Sequence, residues 1–534
     1  MSVELALAIP PTVDLCLTYG KKLRRLCSLI KNADATVSES LLRLENGILR
    51  FEHQFHFLRR IEHLMKPEHR AVHERTTHVL LTKMEIVASM LNGFLKQRTS
   101  DRSDADVAHG HATKRVKVAF KKNSLDEAVE ELETWQKAAD PSWFLLMRIA
   151  DSAIDDSLVM SENNSSNSST SALFPSTLAI RSTLPKRDDS VSVPQKRATG
   201  LSLDSAELAK MEIWAIPFCE ALVATRINSA GESTRFILNN VTCPPTVNQQ
   251  AIQADVRDLA RRLQHNDPET FGLLTCKGFV KELGVPGSAQ ATRLTLLFRS
   301  PYGSSPRSLR SWLLACSTPN SLTFRLDLAK QLARSVSYVH TFGFVHKNIW
   351  PESLLCFDRL VSGTSHTSAF LVGFENFRRD QGNTQRLGDV TPARNLYRHP
   401  LRQGASPEAE YTMQHDIYSL GVILLELGLW ESFIQSDGGI LPLLGIPDSV
   451  QGDATKFLAH LQSHAKDHLL ALARSLLPHK MGIRYTKVVE TCLTCLDPGN
   501  CDFGDQSEFE DEDGILVGTR YIEKVILRLD VLCM

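Results

Sequence analysis

Apolar residues recur at alternating steps of three and four through the first 150 positions. Val13, Cys16, Gly20, Leu23, Cys27 and Ile30 share one face of a helix, with Lys21, Lys22, Arg24 and Arg25 largely on the others. Thr36 and Glu39 form a capping box, and Leu41, Leu44, Ile48, Phe51, Phe55 and Leu58 continue the same spacing. A third helix follows Pro67, with Leu80, Met84, Val87, Leu91 and Phe94 on its stripe. A second capping box, Ser124 with Glu127, is expected to open a fourth helix that buries Leu125, Ala128, Leu132, Trp135 and Ala139. Pro141 either stops that helix or starts the next segment, which holds Trp143 and Phe144. Four such stripes without strand-like alternation predict an all-α helical bundle over residues 1–150.

The pattern then lapses. Ser, Asn, Thr and Pro dominate residues 161–171, and a segment so poor in apolar side chains cannot offset its ordering entropy. Residues 151–204 are therefore expected to be a disordered linker. Beyond it, short β-like runs fall at residues 221–228 and 235–241, with the turn Ser229-Ala230-Gly231 between them. A helical stretch at 249–264 precedes two more β-like runs at 272–280 and 293–298, and beyond Ser308 the pattern is mostly helical. Strands first and helices after predict a two-lobed α+β domain over residues 205–534, divided near residue 300. The fold class is thus multidomain, an all-α bundle followed by an α+β domain.

Composition adds exclusions. The 534 residues are too many for one core, and 43% hydrophobic with 23% charged content is that of a globular chain. A net charge of -1 gives no global attraction to nucleic acid or membrane. The first apolar run is short, broken by Pro10 and Pro11, and lacks a basic stretch before it, so neither a signal peptide nor a transmembrane helix is expected. An intracellular, cytoplasmic location follows as the expectation, with eleven reduced cysteines. Cys492 and Cys495 form a lone C-x-x-C without a second pair, so no metal site is expected and two buried sulfurs are. Lys114, Arg115, Lys117, Lys121 and Lys122 form a basic segment that reads as a solvated loop, or else as a peripheral contact for acidic lipids or a localisation signal.

The segment that suggests a family is Val345-His346-Lys347-Asn348-Ile349-Trp350-Pro351-Glu352-Ser353-Leu354-Leu355, which follows an amphipathic helix ending in Tyr338-Val339-His340. It resembles the catalytic loop of protein kinases. Asp416-Ile417-Tyr418-Ser419-Leu420-Gly421 resembles the kinase D-x-W-S-x-G helix, and Cys492-Leu493 with Asp497-Pro498 resembles the late C-L-x-x-D-P element. The resemblance covers residues 205–534. It implies that Asp416 holds the catalytic-loop backbone and that His346 packs beneath it, both structural roles.

Phosphoryl transfer needs an acidic base, two metal-holding side chains, a lysine on the phosphates and a glycine-rich cover. Along the resemblance, the base position holds Asn348, the following lysine position Trp350 and the metal-binding asparagine position Ser353. The metal motif falls at Gly373-Phe374-Glu375, which puts Gly373 where the magnesium aspartate belongs. The turn near Gly231 has none of the expected glycines, and the strand from Arg235 to Asn240 holds no lysine. Leu401 stands where a kinase carries the glutamate of a buried ion pair, and its late arginine partner is missing after Pro498. Loss of both members of such a pair costs less than loss of one.

The expectation is a pseudokinase with no catalytic residues, no cofactor and no bound metal, acting as a signalling or scaffold protein. An unidentified protein partner is implied, and no nucleic acid. Through Leu5-Ala6-Leu7-Ala8-Ile9, Asp14-Leu15-Cys16-Leu17, Gly20-Lys21, Phe57-Leu58-Arg59-Arg60, Leu396-Tyr397-Arg398-His399-Pro400 and Asp416-Ile417-Tyr418-Ser419-Leu420, the whole layout resembles a group of fungal proteins with an N-terminal helical domain and a degenerate kinase-like domain. The first domain is also similar to the HeLo-type bundles of fungal incompatibility and cell-death proteins. That resemblance implies an effector or self-associating module regulated by the kinase-like domain. Two alternatives stay open: an atypical ATP- and magnesium-dependent serine/threonine kinase using Glu375, and a membrane-active cell-death effector.

Overall fold

In the computed structural model the described residues are 10–31, 38–101, 111–149, 151, 154–156, 181, 201–227, 231–243, 248–264, 266–282, 292–315, 320–361, 364–379, 388–405, 407, 409–441, 454–504 and 515–532. The chain divides into two units, residues 1–181 and 182–534. The Ser-rich stretch, the acidic run at 505–513 and residues 5–9 lie outside the described residues.

The first unit is helical: α1 (Pro10–Lys31), α2 (Ser38–Ile61), α3 (Pro67–Asp101) and α4 (His111–Leu145). Pro10 and Pro67 open α1 and α3, where a missing N–H costs nothing. The expected stripes of α1 and α2 are buried throughout, as are Leu80, Met84, Val87 and Leu91 of α3. The fourth helix departs from expectation. It begins thirteen residues before Ser124, so the Ser124/Glu127 box caps nothing, and the basic segment continues the helix rather than looping. Gln136 is buried in place of Trp135, its amide donating to the Gly47 carbonyl at 2.9 Å. Pro141 sits inside the helix. Arg181, within the expected linker, is bound to this unit: its guanidinium donates to Asp155 at 2.8 Å and to the Met147 and Asp151 carbonyls.

The second unit is mixed α+β. Six strands form one sheet in the order β1-β5-β6-β4-β3-β2, antiparallel except for β1 against β5. They are β1 (Ser202–Leu203), β2 (Glu212–Ala215), β3 (Leu222–Ile227), β4 (Ser233–Cys243), β5 (Cys276–Glu282) and β6 (Thr292–Arg299). The four expected runs became β3 to β6; the edge strands β1 and β2 were not expected. Helix α5 (Ser205–Ala209) leans Leu208 on the apolar face built from Met211, Ala224, Phe236, Leu238, Val280 and Leu297. Helix α6 (Gln249–Arg262), capped by Asn248, packs beside β5.

The rest of this unit is mainly helical around α10 (Met413–Leu429), buried along its whole length and apolar on nearly every side. Around it lie β7 (Arg307–Ser308), α7 (Leu309–Ala315), α8 (Leu322–Thr341), α9 (Pro392–Asn395), α11 (Ala454–Leu493, broken at Gly482), α12 (Ile515–Tyr521) and α13 (Leu527–Asp530). Gly421 lets α10 meet α11 closely, since a Cβ there would lie 2.8 Å from the Cys492 Cβ. The mostly helical expectation missed a hairpin, β9 (Leu354–Val361) with β10 (Thr364–Leu371), which joins β7 in a second sheet. Two short strands, β8 (Phe344–Val345) and β11 (Arg378–Arg379), bracket the loop of interest. Among the described residues no helix is long and apolar enough to cross a membrane.

Candidate functional site

The loop after β8 is organised by one buried carboxylate. Asp416, in the first turn of α10, accepts from the His346 amide at 2.7 Å and the Lys347 amide at 2.9 Å. It also accepts from the Tyr411 hydroxyl at 2.7 Å and from His340 Nε2 at 3.1 Å. Burial alone would raise its pKa, but these bonds and the neighbouring histidines outweigh it and hold the carboxyl below its usual value. The grip fixes Lys347 in the left-handed region (φ 65°), which a side chain adopts only at a cost. The His346 ring lies 4.8 Å from that of Phe374, and burial pushes the imidazole down to about 4.

Beside this loop, three polar side chains from distant segments close on one another. The Asn348 amide donates to Glu375 at 2.7 Å and to the Gly373 carbonyl at 3.2 Å. From the sheet, the Asn239 amide donates to the other Glu375 oxygen at 2.8 Å. The Asn239 carbonyl in turn accepts from the Gly373 and Phe374 amides at 2.7 and 3.0 Å. Asn239 is fully buried and Asn348 nearly so. Burial pushes the Glu375 carboxyl upward, opposed by its bonds to backbone, Asn239 and Asn348. Each carboxylate oxygen therefore accepts from one side-chain amide.

Gly373 (φ 91°) makes the cluster fit. A Cβ there would stand 2.8 Å from the Ser353 Cβ and 3.3 Å from Asn348 Nδ2. Ser353 is turned away from Glu375: its hydroxyl donates to the Trp350 carbonyl at 2.8 Å and accepts from the Trp350 amide. Trp350 is buried, edge-on to Tyr397 and 5.1 Å below the Arg394 guanidinium. The structure thus joins Asn348, Gly373 and Glu375 in one cluster, sets His346 against Phe374, and leaves Trp350 and Ser353 to local packing. Asn239 had no signal in the sequence beyond being an asparagine among apolar strand residues.

The turn joining β2 to β3 (residues 216–221) lies against the same region. The Ser308 hydroxyl donates to the Pro217 carbonyl at 2.8 Å, and Glu220 pairs with Arg394 of α9. Burial, with the Glu375 and Glu352 carboxylates nearby, pushes the Cys219 thiol up to about 12. On the other side of the cluster a cavity of about 700 Å3 opens, lined by Glu375, Asp389, Lys347, Arg378, Arg398 and Arg402 among others. Burial and then the three arginines push Lys347 down to about 8.

A buried ionic group lies behind the loop. Arg310 of α7, 1% exposed, donates to Glu426 at 3.1 Å and to the Tyr397 hydroxyl at 2.7 Å, and Tyr397 donates to Glu426 at 2.8 Å. Leu401, by contrast, is exposed. Cys492 and Cys495 are both buried, and among the described residues no three His, Cys, Asp or Glu side chains form a metal-holding group. Comparison with protein-family models and with curated protein sequences returns no match for this chain.

Proposed function

We propose that residues 205–534 form a protein-kinase-like domain that does not transfer phosphate and instead works as a regulatory pseudokinase for the helical N-terminal unit. The observation that carries this reading is the Asn239–Glu375–Asn348 cluster. In the resemblance a working phosphotransferase carries a lysine on the strand that holds Asn239, a base where Asn348 stands and the magnesium acid where Gly373 stands. Here the strand and the base position supply neutral amides, the metal position is a glycine, and both amides donate to Glu375, two positions further on. Neither amide takes up a proton at neutral pH.

The scaffold supports the kinase-like part of the reading. Five antiparallel strands with one long helix between the third and fourth, a carboxylate gripping the loop backbone, and the His346–Phe374 ring contact all accord with it. Strand β2 shifts one expectation: the turn in the position of a phosphate cover is residues 216–221 rather than that at Gly231. It holds no glycine at all, and its ties to Ser308 and Arg394 hold it down. Regulation requires a partner that binds two states of the domain unequally.

The test is thermal shift of the full chain with ATP and magnesium, joined to radiolabel transfer to a generic protein substrate. The reading expects neither metal-dependent stabilisation nor transfer. Transfer that is abolished by Glu375→Ala would overturn it in favour of an atypical kinase.

A further inference from the structure

The six-stranded sheet carries a second polar concavity, on the face opposite to Asn239. Along β4 the side chains alternate, so Phe236 and Leu238 join the apolar face beneath α5 while Asn239 points toward Glu375. At the margin of that apolar face two cations bracket the buried Phe236 ring. Lys277 Nζ stands 5.2 Å from the ring centroid and the Arg226 guanidinium 5.8 Å. Arg235 and Arg299 complete the rim of a cavity of about 610 Å3.

Arg226, Lys277 and Arg299 thus face one hollow from three strands, while Arg235, on the other face of β4 by alternation, reaches its rim at the strand end. Among the described residues Glu207 is the carboxylate paired with one of them. Glu207 of α5 lies 3.1 Å from Arg226 and 3.8 Å from Lys210, so this carboxylate is shared between two cations. Arg235 spends one N–H on the Gly303 carbonyl. Lys277 is pushed below the usual amine value by burial and by the positive charge of Arg226 and Arg299. Ser233, Thr234 and Ser300 add hydroxyl-bearing residues to the lining. The volume is within the range of small-ligand pockets, ~300–1,000 Å3, and exceeds what one phosphate fills.

We infer that this concavity binds a compact ligand carrying two or more phosphoryl groups. The inference is independent of the kinase-like reading, since none of these residues belongs to the Glu375 cluster. Guanidinium groups from adjacent strands suit bidentate contact with phosphoryl oxygens, and relief of mutual repulsion among the cations favours the anion. The ligand chemistry is shared by a soluble polyphosphorylated metabolite and by a phosphoinositide headgroup.

The experiment is calorimetric titration of the full chain with inositol hexakisphosphate at ~150 mM salt. Flotation is run beside it, on phosphatidylcholine vesicles with and without phosphatidylinositol 4,5-bisphosphate. One binding event per chain is expected, weakened about tenfold for each cation removed in Lys277→Gln and Arg299→Gln, with the melting temperature unchanged. Flotation on the phosphoinositide vesicles assigns the headgroup; calorimetric binding without flotation assigns a soluble ligand. Three results would each overturn the inference: no binding, binding unaffected in the double variant, or binding weakened instead by Arg398→Gln in the other cationic cavity. Tighter binding of an oligonucleotide would overturn the small-ligand assignment.

Discussion

Replacing Asp416 by asparagine changes one oxygen to an amide nitrogen, and the four donors around Asp416 make the consequence calculable. If the new NH2 takes the Oδ2 place, His340 can change tautomer and accept, but the His346 amide is orphaned. If it takes the Oδ1 place, the Tyr411 hydroxyl can turn and accept, but the Lys347 amide is orphaned. Either way one buried backbone N–H loses its partner, at about 1–3 kcal/mol, and the remaining bonds lose their charge assistance. The sum is roughly 3 kcal/mol for a side chain that is fully buried. At ~2 °C per kcal/mol for a unit of this size, the melting transition should fall by about 6 °C. Local hydrogen exchange sharpens the test, because a peptide spanning residues 344–350 should lose protection as Lys347 relaxes from its left-handed conformation. A variant that melts within about 1 °C of the parent, with unchanged exchange there, would refute the claim that Asp416 holds this loop.

An acid introduced by Gly373→Asp should not create a metal site. The added Cβ meets Ser353, and the positive φ is lost to strain, so the variant should melt lower and gain no stability from magnesium. Arg310→Met should destabilise by about 3–5 kcal/mol because Glu426 is left buried and unpaired, while Arg310→Met with Glu426→Leu should recover much of it in urea titrations. In the helical unit, His69 and His73 share Ser142 through 3.0–3.1 Å bonds, and burial holds His69 at about 4 and His73 well below its usual value. Their folded pKa values are depressed, so the unfolded chain takes up protons first. Stability of this unit should be level above about pH 6.5, fall as pH drops toward 4, and fall less steeply in that window when both are replaced by glutamine. Thiol labelling of the native chain should modify exposed Cys501 well before Cys492 or Cys495, whose burial raises their pKa values.

Periodicity alone determined α1 to α3 and the four inner strands, because each rests on local spacing, while the loop near residue 346 was singled out by its motif. The grip of Asp416 was expected only through the resemblance of Asp416-Ile417-Tyr418-Ser419-Leu420-Gly421 to a kinase helix; apolar spacing says nothing of which backbone amides a carboxylate will meet. The basic run before Ser124 has no apolar period, so its helix comes from continuity with α4, and the box that looked like a start lies mid-helix. Strand β2 is exposed at all four positions and shows no alternation to read. Only the tertiary structure brought Asn239 to Glu375, 136 positions away in sequence, and set Arg310 beside Glu426. Such contacts are fixed by which faces of packed elements meet, and neither residue type nor local spacing encodes them. The sequence therefore determined which chemical groups are present; the packing decided that both Glu375 oxygens would be held by amides at the edge of a cavity.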